Sequence, residues 1–144
     1  MPETIVPPGP IEIFDRMRHH WLDGTAALAD ELAENTVIEI PFAPEGRRRF
    51  EGPEAIRRFT GPDQAAFARH YRLDEIRDVT IHETTDPEVI VVEYVLSGVI
   101  VSTGERAASS FIGVLRVRDG RIVLWREYQN PLVMAEVIER LRNA

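Results

Sequence analysis

Apolar residues recur along this chain first at helical and then at strand spacing. Phe14, Met17 and Trp21 stand at i, i+3 and i+7, one face of a helix that Asp23-Gly24 ends. Ala26 to Leu32 read as a short second helix, opened by Asp23 or Thr25 as cap. Thr36 to Phe42 read as a strand, stopped by Pro41 and the Pro44-Glu45-Gly46 turn. Gly52-Pro53-Glu54 and Gly61-Pro62-Asp63 each put proline at a first helical position with an acid in the first turn. They predict two short helices, the later one ending at His70 or Tyr71. Val79 to His82 form a short strand, and Val89 to Val101 a long one broken at Ser97-Gly98. Ala107 to Val117 and Ile122 to Gln129 are two further strands, joined by the tight Asp119-Gly120 turn, which tolerates positive φ. Asn130-Pro131 opens a last helix, with Met134, Val137, Ile138 and Leu141 as its stripe. Between the early elements, the basic run Arg47-Arg48-Arg49 reads as a solvated loop, with contact to an anionic ligand as the alternative.

Helices first and a strand meander afterwards imply an α+β domain, its N-terminal helices packed on one face of a strongly curved antiparallel sheet. In the long strand, Ile90, Val92, Tyr94 and Leu96 share one face, while Val89, Val91 and Val95 share the other. Both faces therefore need cover. A chain of 144 residues has no second layer left to supply it, which predicts a homodimer through the sheet. Residues 1–10, with Pro2, Pro7, Pro8, Gly9 and Pro10, read as a flexible tail, and 11–144 as a single domain.

Composition narrows the partners. The net charge of −7 argues against nucleic acid and anionic membrane surfaces, which need a basic face. The absence of cysteine removes disulfides, thiol nucleophiles and thiolate-bound zinc. No apolar run reaches the ~18 residues of a membrane span. Met1-Pro2-Glu3 lacks the basic segment and apolar core of a secretory leader, so the expected compartment is the cytoplasm.

The residue that stands out chemically is Glu127. It follows Val123 and Trp125 at strand alternation, which places a carboxylate on a face of apolar bulk. Such a group is costly unless it is paired or protonated. A raised pKa would suit it to proton transfer near neutral pH. Pairing with Arg116, Arg126 or another arginine would make it structural instead. Asp15 and His19 lie four apart on one helical face, but a metal needs at least three converging ligands, so none is expected. His70 reads as an exposed helix-end histidine, His82 as solvent-facing, and Glu93 as a partner in an interface ion pair.

Four segments in this order carry a family resemblance: Ile40-Pro41-Phe42-Ala43-Pro44, then Glu51-Gly52 with Ile56-Arg57-Arg58, then Thr85-Asp86-Pro87, then Arg126-Glu127-Tyr128-Gln129-Asn130-Pro131. Over roughly 11–144 the chain resembles the nuclear transport factor 2-like superfamily, and within it the SnoaL-like and phenazine-biosynthesis A/B-type proteins. The resemblance implies a cone-shaped, cystatin-like fold around a ligand cavity. Ketosteroid isomerase-like members place an Asp base where Ile40 stands, an oxyanion-hole Tyr near Met17 and a protonated Asp at Gly113. None of those groups is present here. Phenazine A/B-type members place an acidic Glu at Glu127, a His at Phe59, a Ser at Asp63 and a Tyr at Ala107, so one of that set is retained. The SnoaL cyclases place an Asp nearest Asn130.

The same resemblance implies a cavity lined by Ile90, Val92, Tyr94, Leu96, Ser109, Phe111, Gly113, Val123, Trp125, Glu127 and Gln129. Met17, Trp21 and Phe59 would close it, and Asp63 would contact a ligand. Glu127 is the implied acid or base, with Tyr94, Ser109 and Gln129 orienting polar groups of an apolar cyclic or polyketide-like metabolite. The expected activity is of isomerase, cyclase or dehydratase type in secondary metabolism, with no cofactor. The alternative is a non-catalytic ligand-binding dimer with the same cavity, and a third is a scaffold whose cavity is filled by its own side chains.

Overall fold

The computed structural model describes residues 5–23, 25–60, 67 and 69–143, with the backbone alone at 25–27. In chain order the elements are α1 (Pro10–Asp23), a 3-10 helix (Thr25–Glu31), β1 (Leu32–Ile40), β2 (Arg48–Glu51), α2 (Pro53–Thr60), β3 (Tyr71–Glu83), β4 (Val89–Ile100), β5 (Arg106–Arg118), β6 (Arg121–Gln129) and α3 (Pro131–Arg142). Phe67, Arg69 and His70 are helical. The rest of the helix expected from Gly61 lies outside the described residues.

Six strands form one sheet in the order β2-β1-β6-β5-β4-β3, curled around the helices without closing. The α+β class holds, but the sheet is mixed. β3 to β6 are the antiparallel meander, whereas β1 joins β6 in parallel, with Ile38 opposite Trp125 and Glu39 opposite Arg126. A parallel neighbour needs a long crossover, and α2 with β3 to β5 supplies it. At the free edge, Arg48–Glu51 is a strand against β1 and not the expected solvated loop. Its charged residues suit an exposed edge, where they discourage further pairing.

β3 is 13 residues long, not the four of Val79 to His82. Register shifts at Leu73/Glu75 and Arg77/Thr80, and a positive φ at Asp78, break its two-residue alternation. The inward residues Leu73, Ile76, Val79 and Ile81 therefore fall out of strand period and hide the strand from a pattern search. β4 runs through Ser97-Gly98 unbroken, and β1 starts at Leu32, earlier than Thr36. Asp119 and Gly120 take φ of 52° and 77°, the paired positive values that a two-residue hairpin requires. Pro7 and Pro8 of the tail lie against that turn.

The inner face carries the core. Ile13, Phe14 and Met17 of α1, Ala55 and Phe59 of α2, and Ile38, Ile90, Val92, Tyr94, Phe111, Leu115, Ile122 and Trp125 of the sheet form one buried cluster. A register shift between Arg116 and Val117 puts Ile122 opposite Val117 and Trp125 opposite Leu115. The bulge thus turns Ile122 inward, fully buried, and leaves Val123 half-buried outside the cluster. The expectation that Val123 shares the face of Trp125 and Glu127 is corrected by this one extra residue. Asn130 caps α3, its side chain accepting from the backbone of Leu132 and Val133. Val133, Val137 and Leu141 then pack on Ile100, Ala107 and Tyr71, closing one end of the inner face.

Candidate functional site

The site is built where β4, β5 and β6 run side by side. Val92, Gly113 and Glu127 form one row across these strands, and Tyr94, Phe111 and Gln129 the next. Ser109, opposite Leu96, stands one row further along the same face. Trp125, in the row behind Glu127, turns its indole across Gly113. A Cβ at Gly113 would sit 2.2 Å from that ring, so only glycine lets the indole lie there. The acid that isomerase-like proteins place at Gly113 is thus excluded by packing.

Glu127 is held by two neutral donors. The Tyr94 hydroxyl donates to Oε1 at 2.8 Å, and the Gln129 amide Nε2 donates to Oε2 at 3.1 Å. Neither arginine expected as its partner is available. Arg126 bonds Glu39, and Arg116 bonds Asp86 and Glu88. Burial raises the Glu127 pKa above the ordinary glutamate value, against the opposing pull of both hydrogen bonds and the more distant charge of Arg58. The residue retains some exposure, yet desolvation of its carboxyl outweighs those three influences. Burial also lifts Tyr94 well above the usual phenol range, reinforced by the Glu127 charge and hydrogen bond. Tyr94 therefore stays protonated and donates.

Around this acid stands an aromatic cluster. Tyr94 stacks on Phe111 with ring centroids 5.6 Å apart, Trp21 packs on Tyr94 and Trp125 at 5.6 and 5.7 Å, and Phe14 lies behind all three. The structure therefore brings Trp21, Tyr94, Phe111, Trp125, Glu127 and Gln129 together, with Met17 and Phe59 buried in the adjoining core. Tyr94 and Gln129, expected to orient polar groups of a ligand, both bond to Glu127. Ser109 keeps a buried Oγ with no hydrogen-bond partner among the described residues, which leaves it for a ligand or water. Asp63 lies outside the described residues.

Other candidates resolve as structure. The Tyr71 hydroxyl donates to the Ala107 carbonyl, Asp15 pairs with Arg18, and His82 meets Glu93 at 2.7 Å on the exposed outer face. Among the described residues no three His, Asp or Glu side chains converge as metal ligands. An open surface cleft of about 750 Å³ lies between the start of α1 and the β3–β4 turn, bordered by Glu12, Asp15, Arg18, Thr84 and Asp86. Glu127 is not part of its lining, and the chemistry described here lies elsewhere.

Sequence reasoning did not bring Arg48 and Arg58 together. Arg48 and Arg58 both place their guanidinium groups over the Phe50 ring. Their signal was the alternation of Arg48 and Phe50, which becomes legible only once 48–51 is known to be a strand. Glu39 was also missed. It is buried and takes Arg126 at 3.2 Å and Arg47 at 3.1 Å. Burial works against its charge, but the two guanidinium groups prevail and hold its carboxyl below the usual glutamate value.

This arrangement, a curled sheet with helices on its inner face and an acid at the inner end of the last strand, defines a small-molecule-binding class of α+β protein. The chain belongs to the SnoaL-like domain family, which it matches over residues 12–125. It is 38% identical over 103 residues to an uncharacterized PhzA/B-like protein of Pseudomonas aeruginosa, covering 71% of this chain and 70% of that one. Among solved structures, the "Putative Isomerase from Bacillus subtilis" superposes with a TM-score of 0.77 at 29% identity, over 90% of this chain and 91% of that chain. A "putative polyketide cyclase" of Pseudomonas putida gives 0.72 at 17% identity, over 90% and 97%. An NTF2-like protein of Anabaena variabilis gives 0.61 at 17%, over 89% and 94%, and these last two share the fold. No helix among the described residues is long and apolar enough to cross a membrane.

Proposed function

We propose that this protein is a cofactor-independent acid–base enzyme of isomerase, cyclase or dehydratase type, acting on an apolar cyclic or polyketide-like metabolite of secondary metabolism. The observation that carries this reading is Glu127: an enclosed carboxyl, bonded by Tyr94 and Gln129, with no ion pair among the described residues. A structural carboxylate at such a place would be expected to face an arginine. A carboxyl whose two hydrogen-bond donors are neutral, its pKa raised by burial, is suited to proton transfer. The aromatic rings beside it supply apolar contact area, and the Ser109 hydroxyl an unspent hydrogen-bonding group. The names of the Bacillus and Pseudomonas structures point to the same reaction types.

The test is a titration of the Glu127 carboxyl carbon by NMR, assigned by its disappearance in Glu127→Gln. A midpoint above the ordinary glutamate value is expected; one at or below that value ends the acid–base reading. A specific observation favours the second reading, a non-catalytic binding module: both Glu127 oxygens are already engaged by the protein's own side chains.

A homodimer through the outer sheet face belongs to this proposal. Val91, Val95, Val114, Leu124 and Tyr128 are only half-buried on that face, and Ile112 is 43% exposed at its centre. Ile112→Glu should convert a dimer to monomer in sedimentation equilibrium, and a wild type that sediments as a monomer refutes the interface.

A further inference from the structure

The two partners of Glu127 are not equivalent. Tyr94 donates to Oε1 at 2.8 Å and Gln129 donates to Oε2 at 3.1 Å. Both bonds suit an ionised carboxylate, which only accepts. A protonated Glu127 must donate from one oxygen, and the neighbour there must become an acceptor. Tyr94 is poorly placed for that change. Its hydroxyl has one hydrogen, is 2% exposed as a residue, and makes no other hydrogen bond among the described residues. Were its oxygen to accept from Oε1, its own O–H would be left buried without an acceptor.

Gln129 is built for the change. It is half-buried, and its carbonyl Oε1 makes no hydrogen bond among the described residues. Half a turn about its last torsion, a soft one, puts that carbonyl where the Nε2 donor stands. The turned amide accepts from a protonated Oε2 and gives up no other bond among the described residues. Oε1 still accepts from Tyr94. Other elements present few polar groups here. Gly113 faces Glu127 from β5, and α1 adds Phe14 and Trp21 to the adjoining aromatic cluster. Ile40 of β1 stands beside Glu127, one residue beyond the Glu39–Arg126 pair, with Arg48 of β2 opposite it. The charge of Arg58 on α2 acts from further away.

We propose that Gln129 is the positioning residue of this site: its amide turns with each proton exchange, donating to the carboxylate and accepting from the acid, so that Oε2 carries the mobile proton while Tyr94 stays on Oε1. The substrate atom that takes or gives the proton displaces the Gln129 amide from Oε2. When the proton leaves, its bonding pair stays on the carboxylate. The inference rests on the acid–base reading above and explains how an acid with both oxygens occupied stays open to a substrate.

The experiment follows the Glu127 carboxyl carbon by NMR in wild type, Gln129→Met and Tyr94→Phe. Tyr94→Phe removes a donor alone and should raise the Glu127 midpoint by about one pH unit, tenfold in proton affinity. Gln129→Met removes donor and acceptor together and should move the midpoint by less than about threefold in proton affinity, since both forms of Glu127 lose a partner. A Gln129→Met midpoint raised as far as that of Tyr94→Phe shows a fixed donor and overturns the proposal. One lowered as far shows a fixed acceptor and overturns it equally. The Gln129 carbonyl carbon gives a second readout in wild type. It should move downfield as Glu127 takes up its proton, and a carbon that stays in place through that midpoint refutes the rotation. A wild-type Glu127 midpoint at or below the ordinary glutamate value ends the acid–base reading instead, and the two variants still decide whether the amide turns.

Discussion

Glu127→Gln is expected to be more stable than wild type at pH 7.5, and as stable at pH 4. Glutamine reproduces the shape of the protonated acid without its charge. Burial raises the folded-state pKa of Glu127 above the ordinary glutamate value. Below the unfolded pKa both states hold the proton, and the folded state loses nothing. As pH rises through the folded pKa, the carboxyl must ionise where burial disfavours it, and wild type loses stability that the variant keeps. Each tenfold by which folding strengthens proton binding is worth about 1.4 kcal/mol at high pH. The comparison of the two proteins isolates this group, since Glu39, Asp74 and Glu88 have lowered pKa values and lose their contribution in acid in both. Thermal unfolding from pH 4 to 8 measures it. A variant less stable than wild type by ~3 kcal/mol or more at pH 7.5 would show a charge partner left alone, and the catalytic reading would fall.

Phe14→Ala is expected to cost about 3–5 kcal/mol, the largest stability loss foreseen for one side chain of this site. Phe14 is fully buried and lies 6.0 to 6.4 Å from the rings of Tyr94, Trp21 and Trp125. Its removal leaves a void behind three rings that cannot all move in to fill it. Trp21→Ala removes a larger side chain but should cost less, because Trp21 is only half-buried and solvent already reaches it. Urea unfolding of the two variants gives the order. If Trp21→Ala proved the more damaging, the cluster would be anchored at the rim and not at Phe14.

The contrast between these side chains and the rest of the chain shows what the sequence determined by itself. Helical spacing of Phe14, Met17 and Trp21, the alternation of Ile90, Val92 and Tyr94, and the Asp119-Gly120 and Asn130-Pro131 signals act within a few residues. Each element they specify is present. Glu127 was singled out by the same local logic, a carboxylate in step with Trp125. Where alternation broke, the reading broke too: β3 was shortened by its bulges, and Val123 was given a face that the Arg116/Val117 shift assigns to Ile122.

Only the tertiary structure decided who stands beside whom. The parallel docking of β1 on β6 sets Ile40 and the edge residue Arg48 in the row of Glu127, across more than 70 residues of chain. It also draws Arg126 onto Glu39, which leaves Glu127 to Tyr94 and Gln129. A pKa depends on burial and on charges within a few ångströms, and those distances are set by which strands pair. Residue order alone carries the acid, while strand order gives it its neighbours.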